Sequence, residues 1–222
     1  MTTNQDLHSS SQAGAGSSGP GGALSARACR AAGRHDLYGP IHKAIRFRHA
    51  ALLQRLGTTD FREDVRSLAE ELRKHLQLCL VHLKDEEAHL HHPIEGRLPG
   101  ALARIEREHA GHRAHLNALE EQIRLLEATP ERDASAGHGL YLAFSRFVAD
   151  DLLHMAHEEE HVWPLLCSAF DDAEMARLEA DIVAGLPPEL ATRIVAIMLL
   201  AINPPERDSL LGMGDSKPGE RS

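Results

Sequence analysis

Apolar residues recur every three or four positions along most of this chain, and they seldom alternate with polar residues as they do in a β-strand. Helices joined by short connections are therefore expected, and the chain is predicted to be all-α, an up-down-up-down four-helix bundle with short additional C-terminal helices. Gly57, Pro93 and Pro130 mark the ends of the first three long helices. Asp60 is the candidate N-cap of the second long helix, and Pro164 is expected to bend or end the fourth. The predicted long helices span residues 38–56, 61–92, 99–128 and 135–163, and the shorter ones span 171–184, 189–201 and 206–211.

The two ends of the chain differ from its middle in composition. Residues 1–33 are rich in Ser, Gly and Ala and contain almost no large apolar side chains, so we expect them to be disordered. We expect the same of residues 213–222. The bundle is then predicted at residues 34–168 and the helical extension at 169–212.

Charge and composition exclude several classes of protein. A formal charge of −9 without a run of Lys or Arg argues against nucleic-acid binding. The longest apolar stretch, from Ile194 to Ile202, is too short to span a bilayer, and the N-terminus lacks the pattern of a signal peptide. Three cysteines without CxxC spacing indicate a reducing compartment. We therefore expect a cytoplasmic protein with neither nucleic-acid nor membrane partners.

All four long helices carry ionisable residues on the face that a bundle should bury. Glutamate is rarely buried without a partner, so two glutamates among several histidines would be costly unless they compensate one another. A shared cation would do so, and sixteen histidines beside 4% aromatic residues favour metal chemistry over stacking surfaces. The ionisable residues on these faces are His42 and His49 on the first helix, His75, His82, Glu86 and His89 on the second, His109 and His112 on the third, and Asp151, His154, Glu158 and His161 on the fourth.

One motif occurs twice, as HLKDEEAHLHHP from His82 and as HMAHEEEHVWP from His154. Each copy places a glutamate four residues after a histidine, so imidazole and carboxylate share one helical face. In an antiparallel bundle, counting from the connecting turns puts His82, His109 and His154 at one level, within about one helical turn of 5.4 Å. The same count does not distinguish His42 from His49 on the first helix.

These motifs together resemble the hemerythrin-like HHE cation-binding family over about Tyr38 to Leu166, with IHKAIR at Ile41 to Arg46 typical of its first helix. The resemblance implies His42 rather than His49 as the ligand from the first helix. It places Arg113 where classical oxygen carriers have a fifth histidine, and His112, one position earlier, is the candidate substitute. The implied metal ligands are His42, His82, Glu86, His109, His112, His154 and Glu158.

The family implies a non-haem di-iron centre, with two iron ions bridged by the two carboxylates. Imidazole and carboxylate ligands suit iron independently of the resemblance. The expected function is binding or sensing of a small diatomic ligand, dioxygen or nitric oxide, with no catalytic residue assigned. The alternative is a di-iron enzyme that reduces peroxide or nitric oxide, or that assists iron delivery or repair. The sequence does not determine the oligomeric state.

A ferritin-like carboxylate centre is the nearest competing design, because Glu-x-x-His also occurs three times in the chain. That design needs a glutamate from each helix, and no Asp or Glu lies between Gly39 and Gly57.

The remaining polar residues receive smaller roles. We expect Asp151 either to orient His154 or to face solvent, and Glu87 and Glu159 to face solvent or to bind metal in one redox state. Structural roles are expected for His49, His75 and Cys79. We expect His89 and His161 to lie at the rim or to support ligands, and His91, His92 and His115 to be exposed.

Overall fold

The computed structural model describes residues 24–63, 65–128 and 134–212, and within them every regular element is helical, with no strand. The all-α prediction is therefore confirmed. None of the helices in these ranges is long and apolar enough to cross a membrane. The helices are α1 (Ala26–Ala31), α2 (Gly39–Thr58), α3 (Arg66–Asp85), α4 (His92–Arg97), α5 (Ala103–Ala128), α6 (Ala134–His157), α7 (Trp163–Ala169), α8 (Asp172–Gly185), α9 (Pro188–Ala201) and α10 (Pro204–Leu210).

Two prolines that were expected to end or bend helices lie inside continuous helical paths. Pro93 lies in the first turn of α4 and Pro164 in the first turn of α7, where a missing backbone N–H is tolerated. The prediction that Pro93 halts its helix was therefore wrong, since the path continues to Arg97. Asp60 was also wrong as a helix cap, because its side chain accepts from the backbone N–H of Arg62 in a turn before α3 begins.

The four long helices contact one another in a ring, in which α2 and α5 each touch both α3 and α6. This arrangement is compatible with the expected bundle. The C-terminal helices add a layer beside it: α9 packs along α2, and α8 contacts the turn that follows α3. These later helices lie within about two residues of their predicted positions.

The apolar core consists of two clusters, one around Leu52, Leu72 and Phe144, the other around Trp163 and Leu166. A polar layer separates them, because on every long helix a candidate ligand stands between a residue of each cluster. These residues form triplets, each with a residue of the first cluster, then the candidate ligand, then a residue of the second cluster. The triplets are Ile45, His42 and Tyr38 along α2 and its N-cap, Leu83, Glu86 and Leu90 at the end of α3 and the turn after it, Leu116, His109 and Ile105 on α5, and Met155, Glu158 and Val162 at the end of α6 and the turn after it.

Part of the segment expected to be disordered is helical. Ser25 caps α1 by accepting from the backbone N–H of Ala28, and Cys29 is fully buried against the second cluster. Arg34 fastens the segment that follows, donating to the backbone carbonyls of Cys167 and Phe170. The expectations for residues 1–23 and 213–222 concern parts of the chain outside the described residues.

Candidate metal centre

Both motif glutamates begin a π-helical turn, Glu86–His91 after α3 and Glu158–Val162 after α6. In each turn the backbone N–H bonds five residues back, from His92 to Glu87 and from Trp163 to Glu158, so one extra residue enters the helix. Turns of this kind occur often at functional sites.

The extra residue moves the buried face on by one position. A regular helix would bury His89 and His161, which we placed on that face, but the structure buries Leu90 and Val162 instead. His161 is exposed and His89 is half-buried. The two glutamates are thus the last residues of the regular register, and apolar packing resumes directly after them.

Six of the seven expected ligands meet in two overlapping groups, and within each group one donor atom from every residue lies within 4.8 Å of the others. Glu86 and Glu158 belong to both groups. Each group therefore offers two imidazoles and two carboxylates to a metal ion. The first group is His42, His82, Glu86 and Glu158, and the second is Glu86, His109, His154 and Glu158.

The carboxylates divide their oxygens between the two groups. Oε1 of Glu86 lies 3.2 Å from Nε2 of His82, whereas its Oε2 lies 3.6 Å from Nε2 of His109. Glu158 also places one oxygen near each group. Its Oε2 lies 3.4 Å from Nε2 of His42, and its Oε1 lies 3.2 Å from Nε2 of His154. Metal bonds of about 2.1 Å place neighbouring donors about 3 Å apart, so these spacings are compatible with donors that share a metal ion.

Six of the donor atoms are buried without hydrogen-bond partners. Nε2 of His42, His82 and His154, both oxygens of Glu86 and Oε2 of Glu158 all lack one. Burying such atoms raises the free energy of the folded state, because an unpaired buried polar group loses its hydrogen bonds to water without replacement. Cations at the centre would satisfy these atoms together, so the residues present fit a metal site.

Three further carboxylates orient three of these histidines, each by accepting a hydrogen bond from the ring nitrogen Nδ1. The Nδ1–H of His42 donates to Glu159 at 2.9 Å, and that of His109 donates to Glu87 at 3.0 Å. His154 donates from Nδ1 to Glu108, also at 3.0 Å. Carboxylates commonly orient metal-binding histidines in this way, since they hold the other ring nitrogen toward the ion.

Glu87 and Glu159 are therefore half-buried partners of histidines and lie outside the two groups of central donors. Each is the second glutamate of its HxxxEE motif. Arg46 pairs with Glu159, and Arg113 pairs with Glu87. Arg113, at the position that the resemblance assigns to a fifth histidine, supports the carboxylate that orients His109. Sequence reasoning missed Glu108, whose only signal was its position directly before His109.

The close charges shift several pKa values. Although burial favours the neutral acid, His42 and Arg46 lower the pKa of Glu159 to about 2, and His154 and Arg104 lower that of Glu108 to about 2. Burial opposes charge on His154, yet Glu158 and Glu108 raise its pKa to about 9. Without metal this ring holds a proton at neutral pH, which a cation would have to displace.

His112 belongs to neither group of donors, although it is buried. Its Nδ1 lies 3.4 Å from Oδ1 of Asp151, and its ring centroid is 4.6 Å from that of His154. Its role as a ligand stays a prediction. Asp151 is buried and accepts a hydrogen bond from Nε2 of His49 at 2.8 Å, so it orients His49 and not His154.

His49 continues into a second buried polar cluster. Its Nδ1 lies 2.9 Å from Nε2 of His75, which in turn lies 3.7 Å from Sγ of Cys79. The donors of these three residues are close enough to hold an ion, but the same contacts form a hydrogen-bonded chain that ends on Asp151. The structural role expected for them stays a prediction.

His91 contradicts the expectation that it is exposed. It is 5% exposed, and its ring lies against that of His109 with centroids 4.8 Å apart. The π-helical turn explains the difference, because it rotates the residues after Glu86 toward the interior. His92 and His115 are exposed, as predicted.

Comparison of the chain with models of known protein families, with curated proteins and with solved structures finds no match in any of the three. The class of site therefore rests on geometry. Its core is a buried set of four histidines and two shared glutamates that could hold metal.

Proposed function

We propose that this protein is a hemerythrin-like, non-haem di-iron protein that binds or senses a small diatomic ligand, dioxygen or nitric oxide. The observation that carries the proposal is the sharing of Glu86 and Glu158 between two groups of donors. A mononuclear site needs no such sharing. In this proposal α2, α3, α5 and α6 form an up-down-up-down four-helix bundle around the metals.

The donor chemistry favours iron. Four imidazoles and two carboxylates suit iron, while the absence of thiolate from both groups makes a structural zinc site of the cysteine type a poor fit. The iron pair would supply reversible ligand binding at the metal. The protein would supply orientation through Glu87, Glu108 and Glu159, and the apolar clusters on both sides of the polar layer would limit water.

Metal analysis of natively purified protein, with absorption spectra in air and under anaerobic conditions, tests the proposal. We expect two irons per chain and an oxygen-to-iron charge-transfer band in air. Glu158→Ala should lose both irons because it removes a ligand from each group, whereas Glu160→Ala, at an exposed neighbouring position, should keep them. Stoichiometric zinc without iron would overturn the proposal.

One observation favours an enzyme as the second candidate function. His112 lies outside both donor groups, so each six-coordinate ion would keep two positions for exchangeable ligands. Such a centre has room to reduce peroxide or nitric oxide. Steady turnover with an added electron donor, abolished by Glu86→Ala, would identify the enzyme, while ligand binding without turnover would identify the carrier or sensor.

A further inference from the structure

A cavity of about 150 Å³ lies between α2 and α3, with the turn that follows α3, on one side and the C-terminal extension on the other. Its inner wall includes His82 and Glu86, and its outer wall comes from α8, α9 and α10. Val183 and Val195, which are 56% and 39% exposed, line it where it meets the surface. The cavity thus joins the surface to the candidate metal centre.

The lining restricts what can enter. Fourteen of its nineteen residues are apolar, so most of the wall offers no hydrogen bond. The charged side chains among these described residues are all acidic, namely Asp36, Asp85, Glu86 and Glu179, with no Lys or Arg. Carboxylates facing one cavity repel anions, and apolar walls do not solvate ions of either sign.

The size of the cavity further limits the class of molecule that can bind in it. An apolar cavity of about 150 Å³ accommodates a molecule as large as benzene. Diatomic ligands fill only part of that space. His82 and Glu86 bring this wall up to the candidate metal centre, although their Nε2 and carboxylate oxygens are themselves buried.

We propose that this cavity binds an uncharged, apolar organic molecule of about benzene size beside the metal centre. The site would not exist without the C-terminal extension, whose Ala191, Ile194 and Met198 form its outer wall. The relation of this cavity to metal chemistry rests on the proposed function, whereas the class of molecule that the cavity binds follows from its own lining residues. The protein would then hold two neighbouring ligands, one on the metals and one in the cavity.

Methyl-labelled methionine provides the test. Met198 lines the cavity, whereas Met155 and Met175 are buried in the two apolar clusters outside it. Titration of the full-length protein with benzene should shift the Met198 methyl signal in NMR spectra to saturation and leave that of Met175 unchanged. Benzoate, which has the same ring with a negative charge, should give no saturable shift.

Matched variants locate the response. Ala191→Phe fills the cavity and should abolish the shift, whereas Ala196→Phe, on the exposed side of α9, should preserve it. Val183→Phe at the mouth is the second variant, and unchanged Met155 and Met175 signals establish that each variant is folded. Equal binding of benzoate, a response retained in both cavity variants, or no benzene shift would overturn the proposal.

Two controls separate this proposal from others. Metal analysis on the same samples tests the proposed function, so protein that binds benzene but no iron refutes only that function. Removal of residues 213–222 tests whether the end of the chain fills the cavity. Benzene binding that appeared only after this removal would identify that segment as the occupant and overturn the proposal.

Discussion

Oε1 of Glu159 lies 2.9 Å from Nδ1 of His42, and this contact decides which nitrogen of the ring faces the candidate metal centre. The carboxylate is itself held by Arg46. Glu87 does the same for His109, with Arg113 behind it. In each HxxxEE motif the first glutamate joins the central donors, and the second reaches across to orient a histidine on another helix.

Glu159→Gln should weaken metal binding without removing a ligand. An amide is a poorer acceptor than a carboxylate, so the His42 ring becomes less basic and less firmly oriented, and we expect a loss of about 10- to 100-fold in metal affinity. Competition with a chelator measures the change. Glu160→Gln is the control because Glu160 is exposed, and equal affinities for the two variants would contradict the role of Glu159.

The metal-free protein should lose stability as the pH rises above neutrality. The folded-state pKa of His154 is raised to about 9 from an ordinary 6.5, so its contribution is complete below pH 6.5 and is lost between pH 6.5 and 9. The shift corresponds to about 3 kcal/mol at most. Urea denaturation in the presence of a chelator at several pH values measures it.

The same protein should also lose stability in acid. Glu108 and Glu159 have pKa values lowered to about 2, so their contribution is present above about pH 4.5 and is lost as the pH falls toward 2. Metal affinity should rise with pH near neutrality, in contrast to the stability contributed by protonated His154, since His154 must release its proton before it binds a cation. Chelator competition should therefore show affinity rising from pH 6 to 9, and a flat profile would contradict the protonated His154.

Glu86→Gln should weaken both the metal-free protein and its metal binding. The Glu86 carboxylate lies 3.7 Å from Nε2 of His42 and 3.6 Å from Nε2 of His109, and its negative charge helps to raise the pKa of His154. A neutral amide removes this compensating charge, so the free energy of unfolding of the metal-free protein should fall by about 1–3 kcal/mol. Metal affinity should fall as well, because a carboxylate oxygen is lost from both groups. Thermal melts with chelator and metal analysis check the two effects, and an unchanged or stabilised metal-free variant would refute the argument.

Two glycines in α6 should respond oppositely to alanine. A Cβ on Gly137 would overlap the ring of Phe61, so Gly137→Ala should destabilise the protein by about 1–3 kcal/mol through overpacking. Gly139 has open space around it, and Gly139→Ala should stabilise the helix by about 0.5–1 kcal/mol. Denaturant unfolding of both variants measures the difference, and effects of the same sign would show that the Phe61 contact is not tight.

The helices and the meeting of five of the candidate ligands, His82, Glu86, His109, His154 and Glu158, were predictable because they depend on residue spacing. The periodicity that marks α2, α3, α5 and α6 also puts His82 and Glu86, or His154 and Glu158, on one face. Counting residues from the turns was enough to bring His109 level with them. The choice of His42 over His49 came from the family resemblance, and the structure places His42 among the donors.

The features that sequence reasoning missed depend on register and on contacts between helices. A π-helical turn adds one residue without an obvious sequence mark, so the burial of Leu90 and His91 could not be read from a regular repeat. The pairing of Glu108 with His154 requires the relative rotation of α5 and α6. Periodicity along one helix contains no information about that rotation.

The polar layer between the two apolar clusters has a consequence for cooperativity. Without metal, the core is interrupted at the same level on all four long helices, so we expect the Trp163 half to open separately from the Phe144 half. A bound pair of ions would tie α2, α3, α5 and α6 together at that level. Metal would then turn two weakly coupled folding units into one, and hydrogen exchange around Trp163 would report whether the centre is filled.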